Sequence, residues 1–207
     1  MFKKIYSAGL AICLSLCSVI GITSVPEAKY DTIKKESDFS IRDYQPLTEA
    51  QITITDTDYD KAVNKGFMQL FKYITGANTV NEKISMAAPV LTDEKSQNIA
   101  MTAPVLISDS DNAWTIAFVL PDSYTIKTAP KPTNENIKLV EKPQKKVAVI
   151  KFSRFMSKDS IDDNTQKLKA WISDNKLKVI GKPMAAGYNP PWTIPFLRTN
   201  EILIEIK

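Results

Sequence analysis

The chain has 207 residues, 43% hydrophobic and 24% charged, the profile of a folded globular protein rather than a disordered one. It contains no histidine, which excludes Ser-His-Asp and Cys-His nucleophile systems, imidazole proton shuttles and metal sites built on imidazole. The 27 basic and 23 acidic residues leave a net charge of +4, evenly spread, so the electrostatics give no case for nucleic acid binding.

Met1-Phe2-Lys3-Lys4 is a short basic start, and Ile5 to Ile22 follows without a charge. That pattern reads as a secretory signal or an uncleaved N-terminal anchor, with Ser24 or Ala28 as the last residue of a removed leader. A periplasmic or otherwise extracytoplasmic location is expected, with membrane contact only through this segment where it is retained. Cys13 and Cys17 both lie inside the run, so a leaderless domain has no disulfide, thiolate ligand or cysteine nucleophile. The expected organisation is a targeting segment over 1–28, a polar tether over 29–37 and one folded domain over 38–207.

Phe39 to Tyr44 alternates as a strand does, and Ala50 to Thr55 does so after a turn at Pro46, which predicts a hairpin. Thr57-Asp58 can cap a helix over Tyr59–Thr75, whose apolar residues recur every three or four positions and which Gly76 ends. Gly66 inside this helix points to close packing against a strand or a flat ligand. Ile84–Leu91 recurs as Ile99–Leu106 with six of eight positions identical, and Pro89 and Pro104 place these strands at an edge or a bulge. Trp114–Leu120 is a further strand, and Ile137–Val140 with Val147–Phe152 predicts a second hairpin. A second helix over Asp159–Asn175 and strands at Met184–Tyr188 and Ile202–Ile206 complete the chain. Two similar halves, each too small to bury a sheet face, should pack as one α+β domain: duplicated β-α-β-β units in a distorted antiparallel barrel flanked by two helices. The few glycines form no phosphate-cradling loop.

Phe71-Lys72-Tyr73-Ile74-Thr75-Gly76-Ala77-Asn78 followed by Lys83-Ile84-Ser85-Met86-Ala87-Ala88-Pro89-Val90 resembles the SOUL/haem-binding protein family. Ile41 to Tyr44, Ile99 to Val105, Gly187 to Trp192 and Arg198 to Glu201 match it as well, so the resemblance spans about Phe39 to Lys207. It implies the duplicated barrel, shared with GyrI-like effector-binding domains. It also implies non-covalent binding of haem or another tetrapyrrole, without catalysis, in an apolar groove beside the first helix. On this sequence that groove falls to Asn64, Phe67, Met68 and Phe71, with Trp192 as a wall and Lys65 or Lys72 near a propionate. The chain departs from the family in lacking a histidine for iron and in carrying Asn64 where a basic residue is usual.

Iron ligation would then fall to Met, Tyr or Lys, but Met86 and Met101 read better as barrel filling, and no metal-ion site is predicted. Tyr44, Tyr73 and Tyr188 are expected to find hydroxyl partners near the surface. Glu201 is expected to pair with Arg198 at its strand end; the alternative is a carboxylate that enters a cavity and meets a cationic ligand. Two further functions follow from the residues: an effector pocket for a small cationic or amphipathic molecule, or an envelope interaction domain with no small ligand.

Overall fold

The computed structural model describes residues 26–56, 58–79, 96–110, 113–189 and 193–207. The strands are β1 (Tyr30–Glu36), β2 (Phe39–Tyr44), β3 (Leu47–Ile54), β4 (Asn78–Thr79), β5 (Thr102–Ser110), β6 (Ala113–Val119), β7 (Lys131–Pro132), β8 (Ile137–Lys142), β9 (Lys145–Phe152), β10 (Met184–Gly187) and β11 (Asn200–Glu205). Helix α1 (Tyr59–Ile74) follows β3, α2 (Lys158–Asp174) follows β9, and a 3-10 turn, Pro195–Leu197, precedes β11. Nine strands form one sheet in the order β1-β2-β9-β11-β10-β5-β6-β3-β8, with every neighbouring pair antiparallel.

That order contains the duplication. The units β3-α1-β5-β6 and β9-α2-β10-β11 each place their last strand between the other two, and they meet through β5 and β10. The strand before each unit is exchanged: β2 pairs with β9 of the second unit, and β8 with β3 of the first. The sheet curls into a half-barrel with both helices on one face. The α+β duplicated architecture expected from the sequence is therefore present.

The expected hairpins are not. Phe39–Tyr44 does not pair with β3, and Ile137–Lys142 does not pair with β9. Both connections are two residues long and contain a proline, Gln45-Pro46 and Pro143-Gln144. A two-residue hairpin turn needs positive φ at its centre, which proline's ring forbids, so the chain turns a corner and each strand finds a partner in the other unit. The real hairpin partner of β2 is β1, joined through Ser37 at φ 51. The segment expected as a tether is thus an edge strand. Only Tyr30 within it is even partly buried, so it shows no apolar alternation, and its charged side chains suit an unpaired edge. Pro104 sits at a register shift between Thr102 and Val105, which accommodates its missing donor in a central strand. The strand expected at Ile84–Leu91 lies outside the described residues, as do residues 1–25.

Three apolar clusters hold the domain. One packs α1, through Ala62, Leu70, Tyr73 and Ile74, on β3 and β6. A second packs Leu168, Trp171 and Ile172 of α2 on β9 and β11. The third lies on the opposite, concave face, from Leu106, Val119, Val147, Val149 and Leu203. Ala28 and Tyr30, on the chain that crosses this face, close part of it. Asp58 caps α1 by accepting from Lys61 N, and Ser157 caps α2 by accepting from Ser160 N. Gly66 lies where α1 presses on β6: a Cβ there would stand 2.6 Å from Ile116 Cδ1. Packing on a strand, rather than a flat ligand, accounts for that glycine.

Candidate functional site

Side chains i, i+2 and i+4 of a strand share a face, so β2 sends Ser40, Arg42 and Tyr44 into the concave side. The same period carries Glu201 of β11 to that side together with Leu203, while Ile202 and Ile204 go under α2. The result is a buried ion pair: Arg42 Nη1 donates to Glu201 Oε2 at 2.8 Å and Nη2 to Oε1 at 2.7 Å. Tyr188 donates its hydroxyl to Glu201 Oε2 at 2.6 Å, Arg42 Nη1 also donates to the Tyr44 hydroxyl at 3.3 Å, and the Tyr30 ring lies 4.4 Å from the guanidinium. Glu201 is 3% exposed and lies on the wall of a cleft of about 760 Å³ that Tyr30, Phe39, Arg42, Tyr188 and Asn189 also line.

Burial alone would lower the Arg42 pKa, but its hydrogen bonds and attraction to Glu201 outweigh that and raise it. Burial pushes the Tyr188 hydroxyl well up, helped by Tyr44 and Glu201, and raises Tyr44 in the same way. Arg42 therefore keeps its charge and both phenols keep their protons near neutral pH.

These contacts correct two expectations. Glu201 pairs with Arg42, not with Arg198, because the strand period turns its side chain inward; Arg198 donates from Nε to Thr193 O and stacks on Phe155. Tyr188 finds its partner in the interior, as does Tyr73, whose hydroxyl donates to Pro130 O at 2.9 Å within the α1 cluster. The sequence reading gives Arg42 no role in a site and takes Tyr188 only as a tyrosine with a partner near the surface. The signal for Arg42 was its position two residues from Tyr44 on one face of an alternating strand.

The residues expected to form the groove lie on or near the outer side of α1. Phe67 is partly buried against the first cluster, edge-on to Phe118 at 5.3 Å, and stacks on Phe71 at 6.1 Å between ring centres. Phe71 is 39% exposed, Met68 47%, and Asn64 is exposed one turn before Met68. Lys65 and Lys72 are exposed on the same helical row as Met68. The structure brings Phe67, Met68 and Phe71 into one apolar shelf flanked by lysines. Trp192, expected as its wall, lies outside the described residues. Among the described residues no group of His, Cys, Asp and Glu is placed to hold a metal ion, and no helix is long and apolar enough to cross a membrane.

Residues 25–205 match the family model described as SOUL heme-binding protein. The chain belongs to the SOUL family. It is 25% identical over 178 residues to heme-binding protein 2 of Homo sapiens, covering 85% of this chain and 82% of that one. It is 23% identical over 171 residues to heme-binding protein 1 of Xenopus laevis, covering 79% and 81%. Among solved structures, the EcmrR C-terminal domain superposes with a TM-score of 0.53 at 13% identity, covering 86% of this chain and 98% of that one. EcmrR in its DNA complex gives 0.55 at 14% identity, with coverage of 82% and 57%. These structural matches establish a shared fold. The start of the family match at residue 25 agrees with a domain that includes β1.

Proposed function

We propose that this chain binds haem or a related tetrapyrrole non-covalently and without catalysis, on the shelf of Phe67, Met68 and Phe71. The observation that carries the site is the stacked Phe67–Phe71 pair left open beside an exposed Met68 on an otherwise polar helix surface. A flat macrocycle gains most of its binding free energy from burying its faces on such a surface, while Lys65 and Lys72 stand where propionates would reach. The names of the curated relatives support the ligand class. With no histidine in the chain, binding rests on burial more than on iron. The basic start and the uncharged run to Ile22 support an extracytoplasmic setting.

The effector reading has one observation in its favour, the buried Glu201 on the wall of the concave cleft. Arg42 already neutralises that carboxylate with two hydrogen bonds, so a cationic guest would have to replace a cation in place. The α1 shelf needs no such exchange and is the better site.

Titration with hemin and with metal-free protoporphyrin tests the proposal, followed by absorbance and tryptophan quenching. Both should bind one-to-one with similar affinity. Phe71→Asp should weaken both about tenfold or more, from the ~1.5–3 kcal/mol of burying a Phe side chain, with the melting temperature nearly unchanged. Unaltered affinity in that variant puts the site elsewhere. No saturable binding of either compound removes the tetrapyrrole reading.

A further inference from the structure

The concave cleft is lined by more polar groups than the Arg42–Glu201 pair uses. Glu27, Asp38 and Glu201 line it together with Lys35, Arg42 and Lys151, so its formal charges cancel. Among the described residues no aliphatic side chain lines it. Its one hydrocarbon side chain is Phe39, whose ring stacks on Trp171 of α2 at 5.2 Å, on the helix side of the sheet.

Most of these polar groups have no task within the fold. Among the described residues, the side chains of Thr32, Lys35, Ser37, Asp38 and Lys151 make no hydrogen bond or ion pair. Ser40 stands out because it is 6% exposed and its hydroxyl also has no partner among those residues. It faces the concave side between Lys35 of β1 and Val149 of β9. Such a hydroxyl offers one donor and two acceptor positions to a molecule that enters the cleft.

These features select the guest. An anion would meet three acidic side chains, and a cation three basic ones, of which Arg42 already holds Glu201. An apolar molecule would find no aliphatic floor. An extended peptide needs a free backbone edge, but β2 is paired on both sides, with β1 and with β9. A neutral molecule rich in hydroxyls, each both donor and acceptor, meets every group in the lining. The partly exposed rings of Tyr30 and Tyr188 suit the C–H faces of such a molecule, since the face of an aromatic ring carries the negative end of its quadrupole.

We infer that the concave cleft binds a neutral oligosaccharide, with Ser40 at its floor and Lys35, Asp38 and Lys151 reaching ring hydroxyls. Its volume, about 760 Å³, lies within the range of pockets that enclose a small organic ligand. Arg42, Glu201 and Tyr188 form a fixed wall because they bond to one another, so a neutral guest displaces no charge and orders few side chains there. The α1 shelf lies on the opposite face of the sheet, so the two sites are separate.

Saturation-transfer NMR of the sugar protons in the presence of the full chain tests this. The probes are cellotriose and tri-N-acetylchitotriose, both neutral, with cationic chitotriose and anionic trigalacturonate for comparison. At least one neutral trisaccharide should bind saturably, and both charged ones several-fold more weakly. Ser40→Leu, which sets a branched aliphatic group on the floor, should weaken binding about tenfold or more. Lys35→Ala with Asp38→Ala removes two exposed groups without touching the core and should weaken it several-fold, which keeps the inference testable where the Ser40 variant unfolds. Saturable binding of neither neutral trisaccharide overturns the inference. Tighter binding of either charged one overturns it too, as does an affinity left unaltered by the double variant.

Discussion

Replacing Glu201 by Gln removes the counter-charge from a guanidinium that the fold has taken out of water. Arg42 keeps its charge under all ordinary conditions, since its interactions raise a pKa that is already very high. Leaving such a group buried and unpaired costs about 3–5 kcal/mol, which for a domain of this length lowers the melting temperature by roughly 6–20 °C. Arg42→Met should cost a comparable amount by stranding Glu201, which is 3% exposed. Removing both, as Arg42→Met with Glu201→Leu, should recover most of the loss. Buried pairs replaced by apolar groups of similar volume come out neutral or stabilised by ~1–4 kcal/mol. The assay is urea unfolding followed by circular dichroism, with wild type, Arg42→Met, Glu201→Leu and the double variant compared as a double-mutant cycle and Glu201→Gln measured beside them. Single losses below ~1 kcal/mol that simply sum in the double variant would refute the reasoning, because they would mean that water reaches the pair.

Gly66→Ala should destabilise the domain by ~1–3 kcal/mol even though Ala is the better helix former, since its Cβ meets Ile116 Cδ1 at 2.6 Å; adding Ile116→Val should relieve part of the loss. Tyr44 and Tyr188 have folded pKa values above the unfolded value near 10, so the folded state holds more protons and its stability should be full below pH ~10 and fall above it. Unfolding free energy against pH, compared with Tyr188→Phe, checks this: the decline above pH ~10 should be shallower in the variant.

The helices were legible because each carries a cap residue and a three-to-four apolar period: both observed spans lie within a residue of those expected from the sequence. The strands were legible as segments but not as pairs. Alternation in Phe39–Tyr44 shows two faces without saying which is buried or against what, and the buried one is the polar face of Ser40, Arg42 and Tyr44. Its partner carboxylate is 159 positions away, beyond any local spacing rule. β1 was unreadable for the opposite reason: an edge strand exposed on both faces has no alternation to see. The shelf was legible because Phe71 and Met68 make the apolar arc of α1 wider than its packing requires, and the structure leaves that excess open.

The shared fold with the EcmrR C-terminal domain brings a concave face but not a ligand, and Arg42 decides what this face can hold. A cation entering beside Glu201 would gain one carboxylate and displace another cation that makes two hydrogen bonds to it and lies against the Tyr30 ring. That exchange is close to neutral in Coulomb terms, and it strands the guanidinium unless Arg42 can swing to water. A lipophilic aromatic cation such as crystal violet should therefore bind the native protein weakly and without dependence on Glu201. In Arg42→Met the carboxylate loses its partner while the Tyr188 hydroxyl still donates to it, so the cleft should take up the dye, and adding Glu201→Gln should abolish that uptake. Fluorescence anisotropy of the dye reads all three. Tight binding to the native protein that Glu201→Gln removes would mean that the guanidinium yields its place, and the concave cleft would then have to be counted as a working cation site beside the shelf.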